Sequence, residues 1–357
     1  MKMKKSEVIR ALEFLNNKTV DKFNRLFWVS GANITGLKES IQVPGTPSNV
    51  TGAGFDIVEA LRITKLLEGP EIEFTKDSVT DGTENLPLFP KQEGSIPEFP
   101  CDYEYCYDGE KILDAVKKTK FAVGNGPRFN LNSFYIENNI FIATDGHRLA
   151  WSDVSAPDNT PCTSLMPLSV AVAIEKFKPE MVFISVRENK NYFCLVTEAA
   201  DGQTITVEIM GENGDYPDYK RVMPDYGPDN WFAVDRKDLQ TKLAPIVKIL
   251  QPDKTKGTCV VNGSLKITAN LIGKTIEFPI TDKAGEYAGP TNEGVFLLNL
   301  KYLLQAVEQT KKETLYVSMP FKEDGEASGK PMVLRFDNPS AQWSELNEGS
   351  LIMPLRR

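Results

Sequence analysis

The residues best suited to chemistry form one short stretch, Thr144-Asp145-Gly146-His147-Arg148-Leu149-Ala150. His147 is the only histidine in 357 residues. A histidine beside an aspartate can act as a general base, with the carboxylate orienting the ring. Such a centre also needs a nucleophile or a metal within reach. The chain offers no second histidine, no Gly-x-Ser-x-Gly, no phosphate loop and no His-Glu-x-x-His. Gly124-Asn125-Gly126 lacks the lysine and spacing of a phosphate loop. A hydrolase using Asp145 and His147 is therefore the least supported reading. The five cysteines are odd in number and scattered, which suits free thiols in a reducing cytoplasm better than disulfides or zinc. No metal and no cofactor is expected.

The same stretch has a second meaning as local structure. A strand-like run, 133–143, leads into it, and Asp145-Gly146 has the chemistry of a tight turn into a second strand. The chain is 41% hydrophobic and 25% charged, as soluble globular proteins are. It has no apolar run of membrane-spanning length and no apolar secretion signal after its basic start, so a cytoplasmic protein is expected. The net charge of −8 argues against a surface that binds nucleic acid everywhere, but leaves room for one basic face.

Amphipathic helical patterns cover 6–16, 55–67, 109–121, 167–177, 236–250 and 300–309. Val170, Ala173, Ile174 and Phe177 show the spacing, as do Leu239, Leu243, Ile246, Val247 and Leu250. Pro245 interrupts the fifth pattern and predicts a break or a late start. The second, fourth and sixth helices are each followed by an acidic residue and a strand: 71–74, 181–184 and 314–317. Helix-plus-strands units recur about every 50 to 65 residues, too long for a helical solenoid. One unit alone would leave a sheet face uncovered, so pairing into three domains is the economical solution. Gly94–Pro97 and Asp225–Pro228 have linker chemistry. The expected fold is α+β, with three tandem domains at 1–98, 99–226 and 227–357, each packing two helices on antiparallel sheets.

Four separated segments resemble the bacterial replicative sliding clamp, the DNA polymerase III beta subunit. They are the 144–150 stretch, Gly214–Pro224, the strand 265–270 and the terminal Met353-Pro354-Leu355-Arg356. Their order and spacing also agree, whereas the first 98 residues are similar only weakly and look shortened. The resemblance implies DNA-clamp domains whose helices line the inside of a homodimeric ring. Such a ring encircles duplex DNA without reading its sequence and tethers a polymerase, conferring processivity without catalysis of its own. A decoy ring that binds partners but is not loaded on DNA is the alternative.

Site residues follow from the resemblance. Polymerase and clamp loader would dock a glutamine, aliphatic and aromatic peptide in a cleft formed by Leu131, Thr144, Gly146, His147, Leu149, Pro217, Arg221, Val222, Asn299, Tyr302, Met353, Pro354, Leu355 and Arg356. Leu149, Val222, Met353 and Leu355 would be its apolar walls, with methionine able to repack around varied ligands. Where the family often has an aromatic, this chain has Thr255. DNA phosphates would meet Lys4, Lys5 and Arg10 on the first helix, Lys117, Lys118 and Lys120 on the third, Lys242 on the fifth, and Arg128 and Phe129 in a loop. Each lysine cluster also suits an ordinary solvated helix face. Ile249 and Leu250 align with a subunit interface.

Overall fold

The computed structural model describes residues 2–16, 26–30, 33–35, 39–42, 53–75, 77–89, 92–93, 100, 102–155, 160–187, 190–198, 204–212, 214–223, 232–250, 256–261, 265–271, 274–279, 294–318, 330–336 and 348–355. Both proposed linkers, 94–97 and 225–228, and Thr255 lie outside them. Six helices occur in chain order: α1 Lys5–Leu15, α2 Ile57–Leu66, α3 Gly109–Thr119, α4 Leu168–Phe177, α5 Arg236–Ile249 and α6 Leu300–Gln309. Every strand pairing with a defined register is antiparallel. The α+β architecture expected from sequence is present.

The chain forms two compact units. The first comprises Met1–Asp114, Ile136–Asn139 and Val154–Gly214. Its main sheet has nine strands, in which Glu39–Gln42 pairs with Thr204–Glu212 in the register Thr206↔Gln42 to Ile209↔Glu39. Residues on either side of position 98 therefore share one hydrogen-bonded ladder. A four-stranded sheet pairs Lys2–Lys4 with Glu71–Phe74 and continues to Ser78–Thr80 and Asn85–Pro87. Val8, Ala11, Leu12 and Leu15 of α1 are buried at helical spacing, giving the stripe that packs on α2. The Asp56 side chain caps α2 by accepting from the Glu59 N–H at 2.9 Å. α1 and α4 are tied to each other: Arg10 Nη2 donates to the Lys176 carbonyl in the last turn of α4, and Lys176 Nζ donates to the Arg10 carbonyl midway along α1, both at 2.8 Å. Phe14 meets Phe177 edge-on at 5.6 Å beside them.

The second unit comprises Ala115–Tyr135, Ile140–Asp153 and Asp215–Arg357. Six of its strands lie in the order Ile140–Thr144, Arg148–Asp153, Glu348–Ile352, Met332–Arg335, Thr314–Ser318 and Phe232–Asp235. α5 and α6 pack together over a core that includes Leu239, Leu243, Ile246, Leu303, Leu304 and Val307. A separate four-stranded sheet runs Lys274–Pro279, Leu265–Leu271, Lys256–Val261, Gly294–Asn299.

Two local expectations are corrected. α5 runs through Pro245 without a break. Pro245 and Thr241, whose carbonyl loses its usual N–H, are both exposed, so water can satisfy that carbonyl. The run 133–143 is two strands, Ser133–Glu137 and Ile140–Thr144, split by Asn138 (φ 51°) and Asn139 (φ 65°). Asparagine enters this left-handed region more easily than other side-chain-bearing residues.

Candidate functional site

The histidine loop is wider than a two-residue turn. Thr144 pairs with Leu149, and four residues bridge them. Asp145 organises the loop: its Oδ1 accepts from the N–H groups of His147 and Arg148 at 2.9 and 3.1 Å, and its Oδ2 accepts from Arg148 Nε at 2.9 Å. Thr144 Oγ1 donates to the Arg148 carbonyl at 2.6 Å and accepts from the Gly146 N–H at 3.1 Å. Gly146 occupies φ 87°, where a side chain would be strained. Both oxygens of the Asp145 carboxylate thus serve the loop's architecture, which argues against the hydrolase reading.

Arg148 ties this loop to α6. Its Nη1 donates to Gln305 Oε1, and its guanidinium lies 4.2 Å from the Tyr302 ring centroid and 5.3 Å from that of Phe121. The carboxyl-terminal segment docks beside the same loop. The Met353 N–H donates to the His147 carbonyl at 2.8 Å, and the Leu355 N–H to the Leu297 carbonyl at 2.9 Å. The chain has no choice but to run there, because the preceding strand is locked in register, Arg148↔Ile352 to Ser152↔Glu348.

Under the loop lies an apolar cluster of Ile142, Leu149, Trp151, Tyr219, Val333 and Leu351. Tyr135, Tyr216, Met223 and Met353 are partly buried against it. Tyr135 and Tyr216 stack with centroids 4.7 Å apart and planes 8° from parallel. Burial raises the Tyr216 phenol above its ordinary value; the Thr144 backbone opposes this and the Asp145 charge adds to it. Burial raises Tyr302 as well, with Asp145 reinforcing and Arg148 opposing. Both remain neutral hydroxyls at neutral pH.

Most residues expected in the cleft fall within this neighbourhood. Leu149 is buried in that cluster, while His147 and Gly146 are exposed. Met353, Pro354 and Leu355 are half-buried. Leu131 is buried, and its neighbour Asn130 donates to the Asp215 carbonyl at 2.9 Å, fastening that loop to the segment carrying exposed Pro217. Arg221 is exposed and pairs with Asp218 at 3.0 Å. Val222 faces outward, whereas its neighbour Met223 packs on the cluster. Asn299 caps α6, accepting from the Lys301 N–H at 3.0 Å, and Tyr302 lies under Arg148. Arg356 is outside the described residues. Sequence reasoning missed Arg148, Tyr135, Tyr216, Tyr219 and Met223. A Tyr-x-x-Tyr spacing at 216–219 was the available signal for two of them.

The expected DNA-facing cations divide by environment. Lys117 and Arg128 are exposed, and Lys4 and Lys120 are half-buried. Lys118 pairs with Glu348, and Lys242 with Asp238 at 2.7 Å. In the first unit, Lys5 Nζ donates to the Leu67 carbonyl, and Arg10 is bound into α4 and lies over Phe177 at 4.5 Å. The Phe129 side chain lies outside the described residues. Ile249 is 62% exposed, but Leu250 is buried in the core under α5 and α6. Cys106, Cys162 and Cys194 form no disulfide; Cys101 lies outside the described residues, as does the Cys259 side chain. No helix is long and apolar enough to cross a membrane among the described residues.

No family profile matches the chain. It is 24% identical over 321 residues to the beta sliding clamp of Vibrio cholerae, a match covering 82% of this chain and 76% of that one. It is 27% identical over 300 residues to the beta sliding clamp of Caulobacter vibrioides, covering 75% and 74%. The solved DNA polymerase III subunit beta of Pseudomonas aeruginosa matches 100% of both chains with a TM-score of 0.76 at 20% identity. That match runs through the first 98 residues, where the sequence resemblance is faint. Fold, motif and relatives agree: the chain has the sliding-clamp fold and is similar in sequence to bacterial beta sliding clamps.

Proposed function

We propose that this chain is a sliding clamp that encircles duplex DNA and tethers a replicative polymerase through a peptide-binding cleft. The working ring is a homodimer, each chain contributing three clamp domains at 1–98, 99–226 and 227–357. Residues Ile249 and Leu250 sit at or just behind the joint between subunits. Phosphate is met without sequence preference, first by Lys117, Lys120, Arg128 and Lys4. Phe129 and the more firmly engaged Lys5, Arg10 and Lys242 complete the phosphate contacts, and Lys118 adds its charge to the basic surface from its pairing with Glu348.

One observation carries the cleft: Met353 is hydrogen-bonded to the histidine loop and packed on the cluster that contains Leu149 and Tyr219. An aliphatic or aromatic peptide anchor burying itself there gains about 1.5–3 kcal/mol. Two such anchors contribute about 3–6 kcal/mol, short of the roughly 8 kcal/mol of a micromolar Kd, so backbone hydrogen bonds and the polar end of the peptide must supply the rest. His147, Arg221, Asn299 and Arg356 would orient the polar end. Fluorescence anisotropy with a labelled peptide bearing glutamine, an aliphatic and an aromatic residue tests this directly. Met353→Ala combined with Leu355→Ala is expected to weaken binding at least tenfold, and unchanged affinity would refute the cleft. Processive synthesis on primed circular DNA with a loader separates a working clamp from a decoy.

A further inference from the structure

The basic residues at the end of α3 are not equivalent. Lys117 is exposed. Lys118 turns back and pairs with Glu348; their side chains are 27% and 8% exposed. Glu348 begins the strand Glu348–Ile352 and stands directly opposite Ser152, which is itself buried. Ser350 lies two residues on, on the same face of the strand, and its buried hydroxyl has no hydrogen-bond partner. The Glu348 carboxylate is thus nearly buried, with the Lys118 ammonium against it.

We propose that Glu348 holds Lys118 back from DNA, so that the last turn of α3 offers Lys117 to phosphate but withholds its neighbour. This inference rests on the sliding-clamp reading. Relative cost decides the matter. Taking the counter-charge from a nearly buried carboxylate is penalised more heavily than a single solvent-exposed phosphate can repay. Lys118 therefore stays where it is when DNA passes. Glu348 acts as a positioning residue that touches Lys118 and never the nucleic acid. Its effect is to reduce how many phosphates the ring holds at once, which favours sliding over static grip.

The test is the salt dependence of duplex binding by the full chain, followed by anisotropy of a labelled duplex oligonucleotide. The slope of log K against log salt changes by about 0.9 for each phosphate newly neutralised or released. Glu348→Gln is expected to steepen the slope by about that amount, and adding Lys118→Met should return it to the parental value. Lys117→Met should flatten it by a similar step. A Glu348→Gln slope equal to the parental one overturns the proposal, as does a double variant that stays steep. Should Glu348→Gln fail to fold, Lys118→Met alone decides: a shift under a third of the Lys117→Met shift supports the proposal, and an equal shift overturns it. If neither the parent nor Lys117→Met shows salt-dependent binding, the sliding-clamp reading itself fails and takes this proposal with it.

Discussion

Asp145 and Arg148 show how much of a recognition motif can be scaffolding. In sequence Asp145, with His147, resembles half of a catalytic centre. In the fold, Asp145 gathers two backbone N–H groups and one guanidinium, and Arg148 reaches on to Gln305 and Tyr302. His147 was legible because it is unique in the chain. Arg148 was not, because an arginine beside a turn ordinarily points to water, and its ring partners come from residues more than 20 and 150 positions away. Charge burial elsewhere gives a pH test. Glu208 is half-buried and accepts from the Tyr103 hydroxyl at 2.9 Å; desolvation raises its pKa and the hydrogen bond opposes the rise. A carboxylate raised in the folded state binds its proton more tightly there than in the unfolded chain. Folding therefore gains stability as pH falls into its titration range and bears the cost of the charge above it. Glu208→Gln keeps an acceptor for Tyr103, so its Tm should exceed the parent's by roughly 1–2 °C at pH 8, the gap closing toward pH 4. A gap of the opposite sign at pH 8 would contradict this account.

At the scale of elements, helices were easier to read than strands. All six helical patterns match to within two residues, because buried side chains at i, i+3 and i+4 leave a local record. The third ran on too far: α3 ends at Thr119 and a 3-10 turn covers Lys120–Ala122. Strand breaks depend on single backbone choices, as Asn138 and Asn139 show. Strand partners depend on pairings across the whole chain, and Gly349 is the clearest instance. It faces Trp151 in the register of the strand that delivers the terminal segment to the histidine loop, and a Cβ there would run into the indole ring. Gly349→Ala should cost about 1–3 kcal/mol by overpacking. Differential scanning calorimetry should show Tm lower by roughly 3–10 °C, and peptide affinity should fall with it as the strand shifts. Full retention of both would mean that Trp151 can move aside freely.

For the molecule as a whole, the resemblance was carried by four segments, all beyond residue 140, and the architecture extends well past them. The faint first 98 residues still supply strands to the nine-stranded sheet. What sequence could not show was how those strands are shared. The compact units cut across both expected boundaries, because Glu39–Gln42 pairs with Thr204–Glu212 and Arg148–Asp153 pairs with Glu348–Ile352. Proposed ring closure is open to a direct measurement. Light scattering should give about 80 kDa, two chains of 39.8 kDa, at micromolar concentration, and Ile249→Asp should lower it toward one chain. A parental mass of 39.8 kDa at every concentration would rule out a stable homodimer.

The ladder between Glu39–Gln42 and Thr204–Glu212 also sets a timetable for biogenesis. Its two strands are about 160 residues apart, so at typical elongation rates of 5–20 residues per second the earlier one waits about 10–30 s for its mate to leave the ribosome. During that interval the nascent amino-terminal third carries an open strand edge, the kind of surface that chaperones shield and that aggregates seed upon.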